Sequence, residues 1–217
     1  MNFPIIIVNF KTYAGAVAAQ ALDMAKLHAK VAKKTGVNFA VAPQLLDLRM
    51  IASEVNIPVL AQHFDPVEQG PFTGHVSPYA LKEIGVRGAI LNHAERSISL
   101  ELIEKSLEMA RNLGLYSVVC ANDPYLAKAI FELDPDLVAV EPPELIGGDV
   151  PVTDKPQVID DAVAMIGKGK VIVGAGIKTG KDVQIALQHG AVGVLVSSGV
   201  VKSPDPEKAL FELASGL

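Results

Sequence analysis

Leu137-Val138-Ala139-Val140-Glu141-Pro142-Pro143 is a short apolar run that stops at a carboxylate and two prolines. The run has the length of a buried strand. Neither proline can donate to a sheet ladder, and Pro143 pushes Pro142 towards an extended conformation. Glu144-Leu145-Ile146-Gly147-Gly148-Asp149-Val150 follows, and its glycine pair gives the backbone the freedom a moving segment needs. The stretch predicts a glutamate on a rigid strand end beneath a lid that starts stiff and finishes loose. Taken alone it fits equally a solvated strand-end Glu before an ordinary loop. The choice depends on what surrounds it.

Outward from that stretch the same run-and-stop pattern recurs. Short Val-, Ile-, Leu- and Ala-rich runs lie at Pro4–Asn9, Val37–Pro43, Pro58–Gln62 and Gly88–Asn92, and again at Leu115–Ala121, Leu137–Glu141, Lys170–Ala175 and Val192–Ser197. Helical spacing follows most of them. Val17, Ala21, Met24, His28 and Val31 form one stripe, and Leu100, Ile103, Leu107 and Ala110 another. Ser99 is placed to cap the second helix and Gly114 to close it. Asp123-Pro124 and Asp205-Pro206 read as N-caps with proline at the first helical position, and Thr179 with Asp182 as a capping box. The third unit is thin, with only a short turn around Pro78–Ile84, and the fifth is thin too. Two architectures compete: an open doubly wound sheet of five or six strands, and a closed (β/α)₈ barrel. Eight evenly spaced strands, at about 27 residues per unit over 217 residues, favour a compact parallel barrel. It is expected to occupy residues 1–217 as a single domain.

Composition narrows the function. Half the residues are hydrophobic and mean hydropathy is +0.34, yet no apolar run approaches the ~18 residues of a membrane span. Strands buried on both faces account for such a composition. A net charge of −5 without a basic cluster argues against nucleic acid or an anionic membrane as partner. The single cysteine, Cys120, suits a reducing compartment, and the start of the chain does not read as a signal peptide. A cytoplasmic protein is expected.

In a barrel the C-terminal strand ends converge on one mouth, where chemistry is found. The first run ends in Asn9-Phe10-Lys11, the fourth in Asn92-His93-Ala94-Glu95-Arg96 and the sixth in Glu141. The last two end in Gly174-Ala175-Gly176-Ile177 and Ser197-Ser198-Gly199-Val200, small loops whose backbone N–H groups suit phosphate. A lysine, a histidine, a carboxylate base and a phosphate-sized loop set around one mouth point to a small phosphorylated substrate. Each residue singly has a plainer reading. Lys11 fits a solvated charge, Glu95 with Arg96 a surface ion pair, and His28 and His189 structural histidines. His63 and His75 fit interface or loop residues, and Cys120 a small buried apolar group. Gly174-Ala175-Gly176 fails the dinucleotide fingerprint, because Thr179 stands at its third glycine.

These motifs, together with Gly70-Pro71-Phe72-Thr73-Gly74-His75-Val76-Ser77, resemble in their order the triosephosphate isomerase family, most closely its short archaeal form. The resemblance covers essentially the whole chain and implies a TIM barrel. It also implies interconversion of D-glyceraldehyde 3-phosphate and dihydroxyacetone phosphate in glycolysis and gluconeogenesis, through an enediol(ate). Glu141 then matches the family's base, His93 its neutral electrophile, Lys11 its electrostatic partner and Asn9 its substrate-orienting amide. Glu95 matches the carboxylate that holds the lysine. Phosphate would lie near Ile146, Gly147, Gly176, Ser197 and Ser198. The resemblance implies no metal and no organic cofactor. It implies a homodimer or homotetramer, with Phe72-Thr73-Gly74 packing into a neighbouring subunit. Glu144 stands where longer members carry Trp. Gly147-Gly148-Asp149 departs from the archaeal Gly-Thr-Gly, which predicts a looser trailing hinge and a charge opposing nearby phosphate.

Overall fold

A computed structural model of the chain describes residues 1–142 and 152–217. Residues 143–151, where a lid is expected and which include Glu144, Ile146, Gly147, Gly148 and Asp149, lie outside the described residues.

Each apolar run becomes a strand: β1 (Ile5–Asn9), β2 (Asn38–Ala42), β3 (Leu60–Ala61), β4 (Gly88–Leu91), β5 (Tyr116–Ala121), β6 (Leu137–Val140), β7 (Val171–Gly174) and β8 (Gly193–Val196). All pair in parallel in one eight-stranded sheet ordered β2-β1-β8-β7-β6-β5-β4-β3. A parallel bridge from Val41 to Val59 closes the ring, where the Val41 N–H donates to the Pro58 carbonyl at 3.0 Å. Pro58 has no N–H to give to the ladder, which accounts for the short β3 and the light closure there.

Strand side chains alternate, and the alternation divides the core in two. Ile5 and Ile7, Ala40 and Ala42, Val118 and Cys120, and Leu137 and Ala139 fill the barrel with Leu60, Ile90, Ile172 and Leu195. Ile6, Val8, Phe39, Val41, Val119, Val138 and Val173 face outward against the helices. Continuing inward parity past the last apolar layer gives Asn9, Glu141 and Ser197, so a polar top layer follows from strand geometry alone.

The helices carry the expected caps. In α1 (Ala18–Thr35), Ala21, Met24, His28 and Val31 are buried, while Val17 sits just before the helix, half-buried. The short α2 (Leu48–Glu54) and α3 (Pro78–Glu83) complete the second and third units. In α4 (Leu100–Leu113), the Ser99 hydroxyl accepts from the Leu102 N–H and Gly114 closes the helix in the left-handed region; Leu100 is exposed. Asp123 caps α5 (Pro124–Phe131), and α6 (Pro156–Ile166) begins at a proline. The Thr179–Asp182 capping box opens α7 (Gly180–Gln188). A short α8 (Ser198–Val201) follows β8, and Asp205 caps α9 (Pro206–Ala214). Among the described residues no helix is long and apolar enough to cross a membrane.

His28 sits between Phe10 and Phe39, with ring centroids 5.5 and 6.0 Å away. Its Nδ1 donates to the Met24 carbonyl at 2.7 Å, and its Nε2 is buried without a partner among the described residues. Burial lowers its pKa from 6.5 to about 4, against the opposing effect of the Met24 bond. The unfolded chain therefore binds more protons than the folded one between those values. His28 contributes stability that is complete above pH 6.5 and lost as pH falls towards 4, about 3 kcal/mol in all. Denaturant unfolding of the wild type and His28→Leu across that window checks this. The wild type is expected to show the steeper acid loss, and parallel curves would contradict it.

Candidate active site

The expected site residues meet at the C-terminal mouth of the barrel. Asn9, Lys11, His93, Glu141, Gly176, Ser197 and Ser198 line one cleft, together with Tyr13, Ala175, Ile177 and Lys178. Glu95 stands behind Lys11. Ile146 and Gly147 lie outside the described residues.

Each side chain owes its direction to a local backbone device. After β1 the Asn9 side-chain carbonyl accepts from the Lys11 N–H at 3.0 Å, and Lys11 adopts φ +48°. Gln62 Nε2, from beyond β3, donates to the Lys11 carbonyl at 3.0 Å and the Ala42 carbonyl at 2.9 Å, fixing that turn. After β4, inward parity would point Asn92 into the barrel. Asn92 instead takes φ +55°, donates to the Cys120 carbonyl at 2.9 Å and accepts from the Ile98 N–H at 3.0 Å. That turn delivers His93 to the mouth. A left-handed conformation at Lys11 or Ala175 (φ +74°) is costly for a residue with a Cβ and persists only where surrounding structure imposes it.

Lys11 Nζ lies 2.5 Å from Glu95 Oε1, with the lysine side chain 13% and the glutamate 57% exposed. Arg96 turns to Asp65 at 3.7 Å, so Glu95 serves the lysine and the surface-pair reading of Glu95 with Arg96 does not hold. The Glu95 backbone N–H donates to His93 Nδ1 at 3.1 Å. An Nδ1 that accepts carries no proton, which leaves the ring proton on Nε2. Nε2 faces Glu141 Oε2 at 3.8 Å, beyond a hydrogen bond, with space for a reacting group beside both.

Glu141 is 7% exposed, and among the described residues its Oε2 has no hydrogen-bond partner. Burial raises its pKa above the usual carboxylate value, against the opposing pull of His93, the Cys120 thiol and Lys11. Cys120 is buried as expected, and burial, with the charge of Glu141 adding to it, pushes its thiol pKa up. The carboxylate rests on Gly174, where a Cβ would fall 2.4 Å from Oε1 and 2.7 Å from Cγ. Gly174→Ala should therefore displace Glu141 and lower kcat by about 10–10²-fold, the scale of a 1 Å misplacement. In the Glu141→Gln background the same change should cost far less. Equal losses in both backgrounds would show that Gly174 acts elsewhere.

The turn after β7 carries two successive left-handed residues, Ala175 and Gly176 (φ +72°), and with Ile177 and Lys178 it lines the cleft. Neither Gly174 as a seat nor Gln62 as a brace is apparent in sequence, because both act across strands. Their only advance signal is position: each lies at the C-terminal end of its run. Among the described residues, no group of three or more His, Cys, Asp or Glu is arranged to hold a metal ion. His63 pairs with Asp65 at 3.2 Å and lines a neighbouring pocket with Lys11 and Glu95, while His189 pairs with Asp160 at 2.7 Å; neither lines the cleft itself.

The family model described as Triosephosphate isomerase matches residues 4–214. The chain is 45% identical to a triosephosphate isomerase of Methanocaldococcus jannaschii over 214 residues, covering 96% of this chain and 98% of that protein. It is also 45% identical to one of Methanobacterium bryantii over 217 residues (98% and 96% covered) and to one of Pyrobaculum islandicum over 222 residues (100% and 97%). Matched across nearly its whole length by both family model and relatives, the chain belongs to the triosephosphate isomerase family.

Proposed function

We propose that this chain is an aldose–ketose isomerase that interconverts D-glyceraldehyde 3-phosphate and dihydroxyacetone phosphate through an enediolate, with Glu141 as the base. Glu141 takes the proton from the carbon next to the carbonyl and returns it to the neighbouring carbon. General base catalysis contributes about 10²–10⁴-fold, so charge stabilisation has to supply the rest. His93 Nε2–H donates to the oxygen on which charge grows, and Lys11, steadied by Glu95, adds a positive field. Asn9 orients the substrate. The phosphate rests on backbone N–H groups of Gly176, Ser197 and Ser198, with Ile146 and Gly147 contributing from outside the described residues.

The observation that carries this reading is the His93 ring: its Nδ1 accepts from Glu95, and its Nε2 lies 3.8 Å from a buried carboxylate. An assay coupling dihydroxyacetone phosphate formation to NADH oxidation tests it. Saturable turnover of glyceraldehyde 3-phosphate is expected, and none would refute it. Such an enzyme serves glycolysis and gluconeogenesis in the cytoplasm, as one barrel domain over residues 1–217.

Assembly belongs to the same proposal. Phe72 and Leu46 are exposed at 40% and 84%, and Glu95 beside the site is also open. Exposed apolar side chains next to a half-open site favour a homodimer or homotetramer that covers them. Light scattering is expected to give two or four subunits, and a fully active monomer would contradict this.

A further inference from the structure

Asp182 does not line the cleft, yet its carboxylate joins the turn after β7, which does, to the turn Val152–Asp154. Oδ2 accepts from the Lys178 N–H at 3.0 Å, the Thr179 N–H at 2.8 Å and the Thr179 hydroxyl at 2.8 Å. Oδ1 accepts from the Thr153 hydroxyl at 3.0 Å. Thr153 is buried, in the turn Val152–Asp154 where the described chain resumes after β6. Lys178 and Thr179 end the turn that begins with left-handed Ala175 and Gly176. A capping box alone needs only the Thr179–Asp182 exchange. Here the same carboxylate also reaches back to Lys178 and across to Thr153.

We infer that Asp182 is a positioning residue for phosphate binding, holding the Ala175–Thr179 turn in its anion-binding shape while Thr153 fixes the carboxylate's rotation. The inference rests on the reading that substrate phosphate lies on this turn. Four donors on one carboxylate favour its ionised form, and the bonds from Lys178 and Thr179 keep its pKa low despite partial burial. The acceptor is therefore charged at working pH, and the tether is a set of charge-assisted bonds. Without the Thr153 hydroxyl, Oδ1 loses its anchor and the carboxylate can rotate. Oδ2 then leaves the line of the Lys178 and Thr179 N–H groups, and the turn loosens exactly where the anion sits.

Calorimetric titration with inorganic phosphate, alongside KM and kcat for the triose phosphate, tests this on the whole chain. Asp182→Asn is expected to weaken phosphate binding about tenfold and to raise KM in step, with kcat changed much less. Thr153→Val is expected to move phosphate affinity and KM in the same direction by a smaller factor, and Thr153→Ser to restore them. If Asp182→Asn does not fold, the Thr153 pair decides. A lowered Tm in Thr153→Val with unaltered phosphate affinity and KM would mean the tether is only a structural cap, and would overturn the inference. No phosphate binding by the unaltered protein would overturn the functional reading and this inference with it.

Discussion

Glu141→Gln is expected to lower kcat by about 10²–10⁴-fold while changing KM little, as for loss of a general base. The amide keeps the carboxylate's shape, so it fits over Gly174 without a new clash. It cannot accept a proton from carbon. The structure adds a second expectation that separates this variant from ordinary damage. Glu141 is buried, its Oε2 lacks a partner among the described residues, and burial already disfavours its charge. Replacing a desolvated charge by a neutral group should leave Tm unchanged or raised. Steady-state kinetics and thermal unfolding on the same preparation check both halves. A variant that keeps kcat within about tenfold would remove Glu141 from the role of base.

His93→Ala is the second large effect. Removing one donor to a developing oxyanion typically costs about 10²–10³-fold in rate. The Nδ1 contact with the Glu95 N–H fixes which ring nitrogen carries the proton, so the loss is that of a directed Nε2 donor. Gln at this position restores an N–H at similar reach. His93→Gln is therefore expected to recover part of the loss, although Gln sacrifices the fixed ring orientation. Equal activity in His93→Ala and His93→Gln would argue against hydrogen-bond donation. His93→Ala also leaves the Glu95 N–H without its acceptor, so circular dichroism and unfolding need to accompany the kinetics.

The fold could be read largely from punctuation. Asp123-Pro124, Asp205-Pro206, Thr179 with Asp182, and Gly114 act locally, and each caps or closes its helix as the spacing implies. Strand limits followed the apolar runs closely, except at β3, where Pro58 shortens the ladder to two residues. The polar mouth was also readable, because inward parity carries Ile5 and Ile7 on to Asn9, and Leu137 and Ala139 on to Glu141. His93 broke parity. Asn92 in the left-handed region rotates the chain there, and no spacing rule announces that turn. Gly174 under Glu141, Gln62 on the Lys11 carbonyl and Thr153 on Asp182 join residues far apart in sequence. Such pairs become visible only when the barrel closes. Sequence patterns report a residue's own neighbours along the chain, whereas these contacts depend on which strands end side by side.

The central claim is that a carboxylate at this mouth moves a proton between adjacent carbons of a triose phosphate. Isomerisation of glyceraldehyde 3-phosphate by the unaltered protein in D₂O, followed by NMR, tests it most directly. A proton held on Glu141 exchanges with solvent before it is returned. Part of the dihydroxyacetone phosphate is therefore predicted to carry deuterium at its hydroxymethyl carbon. Product formed with no deuterium there, as a direct hydride shift would give, or no product at all, would contradict the account.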